Sequence, residues 1–499
     1  MTNVAFSGTT DSCERAWEDF KDLCLTLHIR AEQIIHTERL NLNCSDSPDS
    51  DTSQAIGINP FPKPVDERFS IAIHDDVTFI ESTSCIGIYR ALCTLLTDRF
   101  KATPDASTPC TGEAPCTFED GPRYSYRALN LDVARYQAPV ETIERVIDLL
   151  SVHRMSALHL HLTDNQSWRI PITGFERLND QPGIFSATDL GRIDDHARKR
   201  HVAVIPEIDL PGHCGTLLNA YPELTDGTFR RPYLSYISPD APLTERFLHA
   251  CVDALDALST GAYIHIGGDE VFGMPQDQYD RIIGRLIDMA HSKDKKTIAW
   301  QEASRSPVAS DAYQYWMGEA DIPTLQSLKD SWPKALQPFA PIAAQTYALC
   351  HDDPERFAKK KAKVIDSRQS WLYLDRKYAE PSLDNQQNSR METLGFPDYE
   401  PRDSRDLTNW TALKDCDEAG VETALWAETI RNDDDIATLL LPRLALVAQL
   451  AWSGHVDSNA ASRDEIARYT PLWKRLGFED YYRSSSIFGQ KGKQNDSVW

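Results

Sequence analysis

The chain has 499 residues, of which 41% are hydrophobic and 25% charged, and its formal net charge is −23. This length and composition are typical of a globular protein with a large core, in one very large domain or in two to three ordinary ones. The acidic balance argues against nucleic acid and anionic membrane surfaces as partners, because both are polyanions.

The termini and cysteines favour a cytoplasmic protein. Met1–Gly8 has neither a basic stretch nor an apolar core, so no secretory signal is visible. The most apolar run, Leu439–Trp452, contains Pro442, Arg443 and Gln449 and is too short and too polar to span a membrane. The 11 cysteines are scattered and include no CxxC pair. They favour reduced thiols over a disulfide framework or a cysteine zinc site.

Residues 1–120 are predicted to form a small α+β domain followed by a linker. Two strands joined by a turn and two amphipathic helices are predicted from the period of their apolar residues: Ala16–Ile35, Arg68–Ile73, Val77–Glu81 and Ile86–Phe100. The polar stretch 43–52 predicts a loop, and the proline-containing stretch 102–120 predicts the linker. No catalytic cluster is visible in this part, so a bracing role is expected.

Residues 121–499 are predicted to form a (β/α)8 TIM barrel with further helices at the C-terminus. Eight short apolar strands alternate with helical stretches: Ala128–Val133, Ala157–Leu162, Val202–Ile208, Ala262–Ile266, Thr297–Trp300, Ala312–Trp316, Ala362–Ile365 and Glu422–Trp426. In such a barrel the active site lies where the strands end. A doubly wound open sheet is the competing topology, but it usually has a glycine-rich loop after its first strand, and Leu131–Arg135 has none.

The stretch Gly261–Val271 combines a buried strand with two adjacent acids, Asp269 and Glu270. Gly267 and Gly268 end the strand and allow a tight turn. Beyond that turn the alternation of side chains along a strand no longer holds, so both carboxylates can face one cavity. An exposed turn with two acids is the alternative interpretation of these residues on their own.

Polar and aromatic side chains follow the other predicted strands as well. They include Arg135, Asp164, His213, Trp300, Trp316, Trp371, Tyr373, Asp375, Trp426 and Glu428. Aromatic faces stack on the apolar face of a pyranose, and carboxylates accept hydrogen bonds from hydroxyls, so four tryptophans and several acids at one barrel mouth predict a sugar pocket. His159 and His161 share one face of the second strand and, on their own, are expected to be core residues.

Five motifs in order closely resemble glycoside hydrolase family 20, the β-N-acetylhexosaminidases. They are Arg127–Arg135, His159–Asp164, Val204–His213, His265–Glu270 and Pro442–Trp452. The pattern around 68–100 is similar to the family's usual N-terminal α+β domain. The chain departs from the family at Ala128, where glycine is common, at Tyr136–Gln137, and in the long segment Gly318–Lys361.

The resemblance implies a retaining exo-acting glycosidase for oligosaccharides that contain N-acetylhexosamine, and it implies no metal or cofactor. In this family the substrate's own 2-acetamido group is the nucleophile. Asp269 would bind the acetamido N–H and stabilise the oxazolinium intermediate. Glu270 would act as general acid and then as base. Proximity to Asp269 and an aromatic-lined pocket are expected to raise the pKa of Glu270.

The resemblance also assigns roles around this pair. Asp164 and His213 would support catalysis, and Arg135, at the catalytic end of its strand, would hold the sugar's 3- and 4-hydroxyls. Arg127 precedes the same strand and is expected to form a structural salt bridge. The remaining substrate-binding residues would be Trp300, Trp316 and Trp426 as walls, Tyr373 as donor to the acetamido oxygen, and Asp375 and Glu428 as acceptors from the distal hydroxyls.

Three alternatives stay open. A disaccharide-releasing relative similar to lacto-N-biosidases would use the same chemistry. A non-catalytic sugar-binding relative would not need the intact pair Asp269–Glu270. A metal-dependent amidohydrolase barrel would be sensitive to chelators, and its ligands would be His159, His161, His213, His265 and Asp269. The preference between GlcNAc and GalNAc is open, as is the formation of a homo-oligomer.

Overall fold

A computed structural model describes residues 3–8, 10–35, 37–45, 58–61, 63, 65–98, 116–227, 234–456 and 465–489. A closed eight-stranded barrel follows a five-stranded α+β layer, so the predicted fold class is confirmed. The predicted loop and linker residues 46–52 and 102–115 lie outside the described residues.

The N-terminal layer is a five-stranded sheet with two helices on it. Its strands lie in the order β1-β2-β4-β3-β5. The elements are β1 (Asn3–Gly8), α1 (Thr10–Thr26), β2 (Arg39–Cys44), β3 (Phe69–His74), β4 (Val77–Ser82), α2 (Cys85–Asp98) and β5 (Cys116–Asp120). Leu40, Leu42 and Cys44 alternate with polar residues along β2 and are fully buried, which is the period expected of a half-buried strand.

The sequence predicts only two of these five strands. The end of the predicted linker is β5, which pairs antiparallel with β3, and the predicted loop begins within β2. The first helix is also shorter than predicted, because α1 ends at Thr26 and only a 3-10 turn, Ala31–Gln33, follows. Strands β1 and β5 lie at the two edges of the sheet, and β2 alternates apolar with polar residues, so each gives a weak signal.

The barrel consists of eight parallel strands, and the sequence predicts all eight. They are β6 (Tyr126–Asp132), β7 (Ala157–His161), β8 (Ala203–Glu207), β9 (Tyr263–His265), β10 (Lys296–Trp300), β11 (Ala312–Tyr315), β12 (Lys363–Asp366) and β13 (Asp417–Leu425). Pairing of β13 with β6 closes the ring. Strand β13 begins five positions before its predicted start at Glu422. The prediction misses this first half because two acids and a glycine interrupt its apolar residues.

Helices surround the barrel and complete the C-terminus. They are α3 (Val140–Val152), α4 (Glu176–Asn179), α5 (Ala187–Lys199), α6 (Gly215–Ala220), α7 (Thr244–Leu258), α8 (Gln276–His291), α9 (Leu325–Ser331), α10 (Ala340–Ala348), α11 (Asp353–Lys360), α12 (Gln369–Leu372), α13 (Asn385–Arg390), α14 (Asp433–Leu440), α15 (Arg443–Ser453), Thr470–Arg475 and Ser485–Phe488. No single helix among the described residues has the length and hydropathy of a membrane span, and only the bent pair α14 and α15 reaches them together.

The barrel interior is apolar at its base and polar towards the mouth. The basal layer is a buried cluster that includes Tyr126, Ile205, Ile298 and Ile365. Above it, Glu422 accepts hydrogen bonds from the Tyr126 hydroxyl at 2.7 Å and from Gln314 at 2.7 Å. Side-chain layers of this kind fill a TIM barrel, so the chemistry is confined to the end where the strands finish.

A buried ion-pair cluster joins the N-terminal layer to the barrel. Glu67, just before β3, accepts hydrogen bonds from Arg127 of β6 at 2.8 Å and from Arg90 of α2 at 2.8 Å. All three side chains are almost completely buried. Arg127 therefore forms the structural salt bridge that its place at the far end of β6 predicts.

Candidate active site

The backbone after β9 turns both acids towards the mouth of the barrel. Gly267 and Gly268 have φ angles of 70° and 111°, and a Cβ at Gly267 would lie 1.9 Å from the Asp209 carboxylate, so glycine is required there. Glu270 itself has a φ of 51°, a conformation that is strained for a residue with a side chain and occurs often at active sites. The alternation of a regular strand is broken, and Asp269 and Glu270 lie together.

His213 lies between the two catalytic candidates and Asp164. Its Nδ1 is 3.0 Å from Asp164 Oδ2, and its Nε2 is 3.5 Å from Glu270 Oε2 and 3.7 Å from Asp269 Oδ2. Burial lowers the pKa of His213, but the carboxylates of Asp164 and Asp209 outweigh it and raise that pKa well above its ordinary value. The charged form of His213 is thereby favoured beside both acids, and the structure brings the four predicted residues together.

Arg135 lies at the catalytic end of β6, as predicted. Its Nη2 is 2.7 Å from Asp164 Oδ2, its Nη1 is 3.1 Å from Asp132 Oδ2, and Glu428 is 3.9 Å away. Asp132 also accepts the backbone N–H of Ala427 at 3.0 Å, which ties the end of β6 to the loop after β13. The guanidinium is thereby held at the mouth beside the predicted sugar-binding acids.

Three tryptophans form the aromatic part of the pocket. Trp300 donates its Nε1–H to Glu207 at 2.8 Å, and Trp316 donates to Glu302 at 3.2 Å. The ring of Trp426 lies 5.9 Å from that of Trp300 and is less buried. Trp371, also noted at a strand end, stacks under Arg402 at 4.5 Å and packs against another apolar cluster, so the expectation of four tryptophans at one mouth is wrong.

Tyr373 and Asp375 form the far wall. The ring of Tyr373 lies 5.9 Å from that of Trp426 and 6.0 Å from that of Tyr399. Asp375 is only 2% exposed, and burial, together with the charge of Glu428, holds its pKa well above its ordinary value. The structure therefore brings the predicted substrate-binding residues close together at the mouth of the barrel, while their individual roles stay predictions.

Several buried polar atoms at the mouth of the barrel have no hydrogen-bond partner among the described residues. They are Arg135 Nε, His213 Nε2, Asp269 Oδ1 and Asp375 Oδ1. Buried polar atoms in native proteins almost always have a partner, and exceptions need an explanation. A polar ligand such as a sugar would supply the missing partners.

The protonation of the acidic pair differs from the prediction. Burial raises the pKa of Glu270, but the nearby His213 and the hydrogen bond from Tyr347 outweigh burial, and the pKa lies below its ordinary value. Burial and the neighbouring carboxylate of Asp209 hold the pKa of Asp269 well above its ordinary value. The expectation of a raised pKa for Glu270 is therefore wrong, and the two acids have opposite pKa shifts.

Two functional neighbours have no role in the sequence analysis. Tyr347, from helix α10 in the long segment Gly318–Lys361, donates its hydroxyl hydrogen to Glu270 Oε1 at 2.5 Å. Asp209 accepts the N–H of Gly268 at 2.9 Å and braces the turn. Asp209 could have been found from its place at the end of β8, whereas nothing local to the sequence around Tyr347 points to the acid.

The histidines proposed as metal ligands are bonded to carboxylates. His161 contacts Glu207 through Nδ1 and Asp164 through Nε2 at 3.0 Å, and His265 Nδ1 is 2.8 Å from Glu207. By distance alone, three groups among the described residues could hold a cation, and each contains Glu207 or Asp209. In each case the carboxylates already serve as partners for histidines or for the turn before Asp269.

Comparison with known proteins identifies the family. The model "Glycosyl hydrolase family 20, catalytic domain" matches residues 124–455. The chain is 31% identical over 434 residues to a β-N-acetylhexosaminidase of Cellulomonas fimi, covering 83% of this chain and 80% of that protein. It is 28% identical over 422 residues to a β-hexosaminidase of Vibrio furnissii, covering 74% and 62%.

Solved structures share the fold. The N-acetyl-β-hexosaminidase of Streptomyces plicatus in complex with Thio-NAglucal matches with a TM-score of 0.72 at 23% identity, covering 97% of this chain and 93% of that chain. A β-N-acetylhexosaminidase of Streptomyces coelicolor A3(2) matches with a TM-score of 0.71 at 24% identity, covering 97% and 94%. Because the family model spans well over half of the chain, the protein belongs to glycosyl hydrolase family 20 and is a glycoside hydrolase.

Proposed function

We propose that the protein is a retaining exo-β-N-acetylhexosaminidase that removes terminal β-linked GlcNAc or GalNAc from oligosaccharides through an oxazolinium intermediate. One observation carries the proposal: Asp269 presents an unpartnered, buried Oδ1 beside Glu270, and both acids contact His213. A carboxylate acceptor next to a proton donor is what participation by a 2-acetamido group requires. The family assignment argues against the amidohydrolase alternative.

Substrate binding has to redistribute one proton within the pair. The opposite pKa shifts of the two acids favour the proton on Asp269 and the negative charge on Glu270. The reaction needs the reverse arrangement. The acetamido N–H favours an ionised Asp269, and exclusion of water by the sugar favours a protonated Glu270.

The two chemical steps then use the residues in turn. In the first, the acetamido oxygen attacks C1, Glu270 gives its proton to the leaving oxygen, and Asp269 stabilises the positive charge of the oxazolinium ring. In the second, Glu270 takes a proton from water, which attacks C1, and the acetamido group is restored. The anomeric configuration is retained because two successive substitutions at C1 each invert it.

Release of a single sugar fits the burial of the far wall. Asp375 is buried, and the ring of Tyr399 lies 6.0 Å from that of Tyr373. In this proposal Asp375 and Glu428 accept hydrogen bonds from the distal hydroxyls of one terminal sugar. A disaccharide-releasing enzyme would need space beyond these residues, so that alternative becomes an outcome of the test.

The test is release of p-nitrophenol from β-GlcNAc and β-GalNAc glycosides, with the β-glucoside as control, each with and without EDTA. Turnover of the acetamido sugars alone, unaffected by EDTA, supports the proposal, and NMR of the first-formed sugar should show the β-anomer. If the protein releases p-nitrophenol only from a p-nitrophenyl disaccharide, the proposal of exo action is wrong and the enzyme releases disaccharides. Loss of activity with EDTA would contradict the metal-free mechanism.

A further inference from the structure

The long segment between β11 and β12 reaches the catalytic acid. It contains α9, α10 and α11, and on α10 the hydroxyl of Tyr347 donates a hydrogen bond to Glu270 Oε1 at 2.5 Å. Tyr347 is 7% exposed, whereas the Glu270 side chain is 29% exposed, so the contact joins a buried donor to an acid that solvent can reach. The other carboxylate oxygen, Oε2, faces His213 Nε2 at 3.5 Å. Each oxygen of Glu270 therefore has its own partner, from a different part of the fold.

Aromatic packing fixes the position of the Tyr347 hydroxyl. The ring of Phe272, two residues beyond Glu270, meets the ring of Tyr347 edge to face with centroids 5.3 Å apart. Trp316 contacts the same ring at 6.4 Å. Trp332 of the long segment packs edge to face against Phe272 at 6.2 Å. Such pairs stabilise defined ring orientations, so Tyr347 is held in place from several sides.

We propose that Tyr347 is a positioning residue, which fixes the carboxyl group of Glu270 for proton transfer to the leaving group and stabilises the carboxylate that this transfer produces. The inference rests on the proposed role of Glu270 as the general acid. When the proton leaves Glu270 for the leaving oxygen, negative charge develops on the carboxylate, and a hydrogen bond from Tyr347 to that charge strengthens. Tyr347 thus makes Glu270 a stronger acid in the first step.

The titratable groups that face Glu270 come from several elements. They are Asp269 on the same loop, His213 after β8, Arg135 after β6, Tyr399 before β13 and Tyr347 on α10. Of these, only Tyr347 combines a neutral hydroxyl donor with a direct hydrogen bond to Glu270. Its replacement by phenylalanine removes that donor without changing the net charge around the acid.

The experiment compares wild type, Tyr347→Phe and Tyr313→Phe on aryl N-acetyl-β-glucosaminides with leaving groups of increasing pKa. Tyr313 is a matched control, because its buried hydroxyl accepts a hydrogen bond from the Ser310 N–H and its ring stacks on Phe357 of α11, away from Glu270. In Tyr347→Phe, kcat/KM should fall about tenfold more for the poorest leaving group than for the best. The basic limb of its pH profile should move to higher pH, because Glu270 becomes a weaker acid.

Leaving-group and pH profiles of Tyr347→Phe that match those of Tyr313→Phe would overturn the inference. Tyr347→Met, which fills the apolar site without a hydroxyl, gives the same comparison should the phenylalanine variant not fold. Glu270→Gln separates the two proposals, since it removes the proton donor itself. If Glu270→Gln loses activity equally on all leaving groups, the proposed role of Glu270 fails; if it loses most on poor ones while Tyr347→Phe does not, only the inference about Tyr347 fails.

Discussion

Glu270 shows how far one residue's chemistry depends on distant parts of the chain. Its left-handed backbone follows from the local glycines. Its ionisation does not, because the lowered pKa arises from His213 after β8 and Tyr347 on α10. The pKa of the neighbouring Asp269 is shifted in the opposite direction by burial and by the carboxylate of Asp209. Two adjacent acids thus acquire different roles from their surroundings, a pattern typical of paired carboxylates in active sites.

Replacing Asp269 by asparagine should lower kcat/KM by about 10²- to 10³-fold, because the charge that stabilises the oxazolinium ion is lost. The loss should be similar for aryl glycosides and for a GlcNAc disaccharide, since ring closure precedes departure of either leaving group. Steady-state rates on both substrates check this. The control is Asp253→Asn at an exposed position, and near-normal rates for Asp269→Asn would remove Asp269 from the mechanism.

For single residues, the sequence predicts where a side chain lies better than it predicts the pKa of that side chain. Arg135, Asp164 and His213 could be predicted because each follows a barrel strand, and parallel strands bring their ends to one face. Tyr347 could not, because it lies 77 residues from Glu270 in a helix that no strand-end rule locates. Proximity to Asp269 and an aromatic-lined pocket predict the wrong direction for the pKa of Glu270, because His213 and Tyr347, which lower it, are distant in the sequence.

Among the elements, buried barrel strands are the most predictable and edge strands the least. The strands of the barrel are buried on both faces and are rich in apolar residues, for example Ala203, Val204 and Ile205 of β8. Strand β5 carries mainly polar residues and lies at the edge of its sheet, so its sequence resembles that of a linker. Fold class therefore follows from the sequence, while the extent of the N-terminal layer needs the structure.

His153, at the end of α3, links the barrel to the C-terminal helix Thr470–Arg475 and should make stability depend on pH. Trp473 donates its Nε1–H to His153 Nε2 at 2.9 Å, and burial lowers the pKa of His153 to about 3. Below about pH 6.5 His153 binds a proton in the unfolded chain but not in the folded chain. The free energy of unfolding therefore falls as pH decreases from about 6.5 towards 3. The expected contribution is about 2 kcal/mol at pH 5.

Urea unfolding of wild type and His153→Gln at pH 7 and pH 5 measures this contribution. Glutamine can still accept the hydrogen bond from Trp473 but does not titrate. The free energy of unfolding should therefore fall by about 2 kcal/mol less in the variant than in the wild type. An equal fall in both proteins would show that His153 does not contribute to the acid sensitivity.

At the scale of the molecule, the N-terminal layer and the barrel share one buried ionic cluster. Replacing Glu67 by glutamine leaves Arg90 and Arg127 buried without their counter-charge, which should lower the free energy of unfolding by about 3–5 kcal/mol. The activity of the folded fraction should not change, because the cluster lies at the end of β6 opposite to the site. Urea unfolding checks this with Glu81→Gln, at an exposed position, as control; a loss of less than about 1 kcal/mol would contradict the bracing role.

In the proposed mechanism the substrate's acetamido oxygen is the nucleophile, and Asp269 orients the acetamido group through its N–H. The most direct test measures kcat/KM on aryl β-GlcNAc glycosides whose N-acetyl group carries zero, one, two or three fluorine atoms. Fluorine withdraws electron density from the carbonyl oxygen, so kcat/KM should fall steeply with each substitution. Rates that do not depend on fluorination would contradict the mechanism and point to a carboxylate of the protein as the nucleophile.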